Sequence, residues 1–192
     1  MKESIIISIL IIIIYIFFFS NKSDLLLIET HDTKVFVRDM ADSNVSAILL
    51  TKLVNIMYSL RDYLVDNTDR YYDYMDYINL MKNNFNKTRT RIYENKTNSN
   101  FTSYSVNKGE EIVFCLRCKE THLLHDINVL VYVAIHEMAH TACPEIGHTD
   151  LFNKIFKFLL EIAVILSLYK YEDYSNYPVQ YCGMKLHSNI LN

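Results

Sequence analysis

Glycine and proline are scarce in this chain, with three Gly and two Pro among 192 residues. That scarcity excludes long flexible linkers of the Gly/Ser-rich or Pro-rich kind. Positive charge is also short. Lys and Arg total 19 against 22 Asp and Glu, giving a net charge of −3 and a pI near 6.1. The electrostatic footprint of a nucleic-acid binder is therefore missing, and no nucleic-acid partner is expected. Cysteines number four. Cys115 and Cys118 form one Cys-x-x-Cys pair, but a zinc ribbon needs a second such pair, and Cys143 and Cys182 stand far apart. A thioredoxin-like site would need βαβ surroundings that the pattern does not offer. Strand and loop cysteines are the plain reading. In an oxidising lumen, Cys143 and Cys182 can bridge the segment after residue 142 to the C-terminal segment.

What is abundant is apolar residues, and the longest run is 5–19, IIISILIIIIYIFFF. As a helix it spans about 22 Å, short of a hydrocarbon core of about 30 Å, and snorkelling by Lys2 and Lys22 closes part of the gap. Lys2 is offset by Glu3, and Phe17-Phe18-Phe19-Ser20-Asn21 is a poor signal-peptidase site. The expectation is an uncleaved single-pass N-terminal anchor over residues 1–23. Lys2 and Lys22 flank it almost symmetrically, so the side of the membrane that holds the domain stays open. The N-x-S/T sequons at Asn21, Asn44, Asn86, Asn95 and Asn100 give weak support to a lumenal or extracellular side. Residues 24–45 are expected to be a tether. Within it, Leu25 to Ile28 and Val35 to Val37 fit either strands or packed stalk.

Residues 46–192 make one domain's worth of chain. Leu49, Leu53, Ile56, Met57 and Leu60 recur at three- and four-residue steps and predict a helix starting near Ser46, capped by Asn44 or Ser43. A second helix is predicted from Thr68 or Asp69 to Phe85, with Tyr71, Tyr74, Met75, Ile78 and Met81 inward. Residues 83–100 are polar, rich in Asn and Thr, and read as an exposed loop. Phe101 to Ser105 and Glu111 to Leu116 carry β-formers around Asn107-Lys108-Gly109, a hairpin with Gly at a positive-φ position. A last helix is predicted from Leu151 to Tyr169, capped by Thr149 or Asp150. It is strongly apolar, but Lys157 and Glu161 sit four residues apart on one face, which favours a core helix with a wet stripe over a membrane span.

The chemistry lies between Ile127 and Phe152. An apolar run from Val129 to Ile135 leads into His136-Glu137-Met138-Ala139-His140, an H-E-x-x-H motif. On a helix His136 and His140 are one turn apart on one face and can share a zinc ion. Glu137 follows the first of them, where its carboxylate can reach water activated by the metal and serve as general base. Gly147 then allows a tight turn, and His148 returns as a third ligand, with Glu145 and Asp150 as rivals for that place. Three protein ligands and one open position make a catalytic zinc site, whereas four ligands would close a structural one. Two solvent-facing His on a buried helix are the bland alternative. His122 and His125 precede the helix as substrate-side groups or surface His. Tyr174, Tyr177 and Tyr181 are each candidates to donate to a developing oxyanion.

The run from His136 to Phe152 resembles the minimal zincin metallopeptidases of the WLM and SprT-like group. These share an H-E-x-x-H helix, a short loop, and a His followed four residues later by an aromatic. The chain is similar, closer still, to small metallopeptidase-like proteins of large DNA viruses. There the likeness extends to Leu124 to Asn128 and to Tyr181-Cys182-Gly183-Met184, and covers roughly Thr102 to Leu191. The metzincin pattern, with Gly three residues after the second His, is not met, because Cys143 stands there. The resemblance implies an α+β fold, mostly helical and zincin-like, with a small β-hairpin or sheet against the zinc helix and a membrane helix before it. It also implies Zn2+ as cofactor and a protein or peptide substrate laid along a sheet edge. SprT-like proteins often act on DNA-bound proteins, but this chain has neither a basic tail nor a zinc ribbon. The expected activity is membrane-anchored, zinc-dependent peptide hydrolysis. The alternative is a non-enzymatic viral membrane protein retaining a zincin-like fold. An intramembrane protease would need several spans and an Asp ligand from another membrane helix, and a zinc hydrolase acting on a non-peptide amide is a further class that the motif allows.

Overall fold

A computed structural model describes residues 24–30 and 33–192. The anchor expected over residues 1–23 lies outside the described residues. Among the described residues no helix is long and apolar enough to cross a membrane.

The fold is α+β. Strands β1 (Leu25–Thr30), β2 (Thr33–Arg38), β3 (Arg91–Glu94), β4 (Tyr104–Val106) and β5 (Glu111–Phe114) form a five-stranded sheet in the order β1-β2-β3-β5-β4. β2, β3 and β5 run parallel, and the two outer strands are antiparallel to their neighbours. The apolar runs of the expected tether are thus strands of the domain. Val35 and Val37 are fully buried on β2, since alternate residues of a strand share a face. The sheet is larger than the hairpin expected from the sequence.

Helix α1 (Ser43–Asp66) buries Leu50, Leu53, Val54, Met57, Leu60 and Leu64 along one face. It ends at Asn67, whose side chain and backbone N–H both return to the Tyr63 carbonyl. Asp42, not Asn44 or Ser43, stands at its N-cap, without a side-chain cap bond. The second predicted helix is divided into a 3-10 turn over Thr68–Tyr74 and α2 (Met75–Asn84). Tyr71 breaks the run with non-helical torsions and sets its ring edge-on to Phe158.

Helix α3 (Ile127–Ala142) is capped by Asp126, whose carboxylate accepts from the Asn128 N–H at 2.7 Å. Its residues from Val129 to Ile135 are all buried, as expected of a helix apolar on every side. α1, α2 and α4 (Asp150–Ile165) pack against it. The wet stripe of α4 is present: Lys154, Lys157 and Glu161 are exposed while Phe152, Ile155, Phe156 and Leu159 are buried. Strands β6 (Val179–Tyr181) and β7 (Met184–Leu186) form a separate hairpin near the C-terminus.

The expected loop over 83–100 holds β3. Its inward residues are Ile92 and Glu94, and Glu94 is a carboxylate buried in the sheet. Arg117 donates to Glu94 at 2.9 Å, the Arg38 backbone N–H donates to it at 2.8 Å, and the Arg38 guanidinium stands 3.6 Å away. Arg117 also forks onto both oxygens of Asp42 at 2.8 Å and donates to Ser46. It thereby ties the sheet to the start of α1 and holds the Asp42 carboxyl below its usual range. Removing one partner of such a buried set leaves an uncompensated charge. Arg117→Ala is expected to cost about 3–5 kcal/mol, read as a lowered denaturation midpoint with an unchanged slope.

Candidate metal centre

His136 and His140 project from one face of α3, and the loop 143–149 brings His148 back over them. The ligand atoms of the three imidazoles all lie within 4.8 Å of one another. The Nε2 atoms of His136 and His148 face each other at 3.0 Å. Three nitrogens on a tetrahedral zinc stand about 3.3 Å apart, so the cluster needs only a small adjustment to hold one ion. Phe152, on the first turn of α4, touches all three rings, with centroids 4.3 Å from His140, 4.8 Å from His148 and 5.0 Å from His136. This aromatic floor limits how each imidazole can turn. Glu145 and Asp150, the rival ligands, are outside the cluster of three.

Burial, with the neighbouring imidazoles, pushes His136 down to about 3. Burial, then His148 and Lys108, pushes His140 down to about 4. Both are therefore neutral at physiological pH, the form that ligates a metal. Glu137 is 3 % exposed, and its Oε2 has no hydrogen-bond partner among the described residues. Burial raises its carboxyl to about 8. An unpartnered buried carboxylate beside three clustered imidazoles is what a cation at their centre would satisfy, because a nearby positive charge favours the ionised form. The donor set therefore fits zinc.

The cluster opens into a cleft of about 780 Å³. One wall is the edge strand β4 with residues 102–105, another is α3, and the third is the β6–β7 hairpin through Tyr181, Met184 and Leu186. The turn Asn107-Lys108-Gly109 closes one end. Gly109 has φ +105°, and a Cβ there would stand 2.9 Å from Thr141 Cγ2 and 3.1 Å from the Asn84 carbonyl oxygen, so the turn lies hard against the end of α3. Lys108 donates to the Cys143 carbonyl at 2.7 Å and to the Glu145 carbonyl, which fixes the loop that carries His148. Nothing in the sequence marked Lys108 for this role.

Of the three candidate tyrosines, the structure brings Tyr181 to the cleft. Tyr174 is buried against Tyr169, and Tyr177 is largely exposed. The Tyr181 hydroxyl shares a 2.5 Å hydrogen bond with Ser103, whose Oγ also accepts from the Cys115 N–H at 3.0 Å. His125 lies behind it, with its ring centroid 5.0 Å from Tyr181 and its Nε2 accepting from the Cys182 N–H. His122 is exposed and takes no part. The bridge is Cys115–Cys182, not Cys143–Cys182; Cys143 is a buried free thiol at the end of α3. The bridge therefore fastens the hairpin wall to the end of β5. In a chain-entropy account, a closure of that span contributes about 4 kcal/mol.

No family model matches this chain. Uncharacterized protein R325 of Acanthamoeba polyphaga mimivirus is 39% identical over 155 residues, covering 81% of this chain and 78% of that protein. This chain belongs to its family. Uncharacterized proteins of Invertebrate iridescent virus 6 and Invertebrate iridescent virus 3 are 38% and 35% identical over 82 residues, 42% and 43% of this chain. The match spans only 44% and 50% of those two proteins. Among solved structures, two of Wss1 from Saccharomyces cerevisiae overlap the fold. One has a TM-score of 0.45 at 16% identity, covering 69% of this chain and 89% of that one. The other has 0.39 at 21%, covering 49% and 73%. Overlaps of that size carry no weight for activity, and the functional reading rests on the site.

Proposed function

We propose that this protein is a zinc-dependent metallopeptidase in which His136, His140 and His148 hold the metal and Glu137 is the general base. The observation that carries the reading is the meeting of three imidazoles with a buried, unpartnered carboxylate at the floor of an open cleft. A zinc ion held there supplies Lewis acidity toward a carbonyl and brings the pKa of water to about 7. Glu137 takes the proton of the attacking water and delivers it to the leaving amine nitrogen. Phe152 and Lys108 keep the imidazoles and their loop in place. Among the described residues strand β4 pairs with β5 alone and leaves its other edge beside the cleft. That free edge supports an extended peptide as the substrate, added as a further strand. The apolar run 5–19 supports attachment of the domain to a membrane.

The test is metal content and turnover of the full-length chain purified without a metal-binding tag. One zinc per chain is expected, lost in His136→Ala and His140→Ala, together with hydrolysis of an unfolded protein such as reduced casein that a chelator stops. A folded, metal-free protein would overturn the reading in favour of a non-enzymatic membrane protein.

A further inference from the structure

We infer that the cleft contains a subsite selective for a large apolar side chain next to the cleaved bond, formed by Val133, Tyr132, Met184 and Leu186. The inference rests on the peptidase reading for the position of the bond and on separate observations for the selectivity. Val133 precedes His136 and Glu137 by three and four residues, so it lies about 5 Å further along the same face of α3. Across from it, Tyr181 pairs with Met184, and Val179 pairs with Leu186. Residues paired directly across two strands share a face, as do residues two apart on one strand. Tyr181, Met184 and Leu186 therefore present one apolar face, and all three line the cleft with Val133 and Tyr132.

None of the four lining residues Tyr132, Val133, Met184 and Leu186 carries a charge. The Tyr132 hydroxyl already accepts from the Ile190 N–H at 3.3 Å, and the Tyr181 hydroxyl is shared with Ser103. Lys108 stands with the turn at 107–109, with its amine on two carbonyls. Burying a charged side chain without a partner is strongly unfavourable. An apolar chain gains by covering Met184, which is 47 % exposed. Methionine adapts to differently shaped partners, so the subsite suits Leu, Met and Phe alike.

The probe is a set of blocked hexapeptides identical but for Phe, Asp or Lys at one central position. The full-length protein is expected to cleave the Phe peptide beside the Phe, with kcat/KM at least about tenfold above the Asp and Lys peptides. Met184→Glu is expected to reverse the order between Phe and Lys, and Met184→Leu to keep it. Binding of the same peptides to Glu137→Gln protein gives a readout without turnover, with the Phe peptide at least about tenfold tighter. Hydrolysis at equal rates on all three peptides would overturn the subsite and leave the peptidase standing. Phe-selective binding without hydrolysis of any peptide would support the subsite and remove the peptidase. Equal binding of all three, or none, overturns the subsite.

Discussion

Glu137→Gln is expected to lower kcat by roughly 10²–10⁴-fold, the range for loss of positioned acid–base catalysis, with zinc content and thermal midpoint unchanged. The substitution is nearly isosteric, and the site accepts a neutral group easily. Burial already pushes the Glu137 carboxyl up to about 8, so an amide there buries no charge. What the amide lacks is a lone pair basic enough to take a proton from water. Because the group acts on the reacting water and not on the peptide's binding, KM should stay near its original value. Steady-state kinetics on a quenched peptide, with metal analysis of the same preparation, checks both halves. Substantial residual hydrolysis would remove the general-base role from Glu137.

His148→Ala is the second large effect. Full zinc sites in small proteins are worth about 10–16 kcal/mol over four ligands, so one imidazole corresponds to roughly 10²–10³-fold in affinity. Competition with a chelator should show that loss, while Glu145→Ala and Asp150→Ala should leave affinity unchanged because neither carboxylate joins the cluster. Retained affinity in His148→Ala would pass the third ligand's place to one of them. The loop 143–149 is held by Lys108 as well as by its own turn, so the alanine variant should fold.

The meeting of His136, His140 and His148 was readable because its information is local. An i, i+4 pair, an adjoining carboxylate and an apolar run are visible in consecutive letters, and the structure gathers them with His148 as their spacing suggested. The hairpin around Asn107-Lys108-Gly109 and the apolar last helix were legible for the same reason. β3 was not. Four residues, Arg91-Ile92-Tyr93-Glu94, half of them charged, look like loop. Glu94 is tolerated in the sheet only because Arg38 and Arg117, 56 and 23 positions away, neutralise it. A compensation of that kind has no signature in a window of sequence. The cysteine pairing failed on similar ground. Cys143 follows α3 and invited a bridge, but the helix end buries it against the core, while the turn after Tyr181 reaches the end of β5. Tyr181 was one of three equivalent candidates until the fold placed Tyr174 in the core and Tyr177 in solvent.

The Cys115–Cys182 bridge has a topological result. It closes the chain into a covalent ring, and that ring holds α3, all three clustered histidines, Glu137 and α4. Two exposed loops, around Leu123 and Ile146, which are 70 % and 90 % exposed, both belong to the ring. A single nick in either one leaves the two pieces joined through sulfur and packed on a common core. In oxidising surroundings the bridge would keep nicked pieces together, and its reduction would leave only packing to do so.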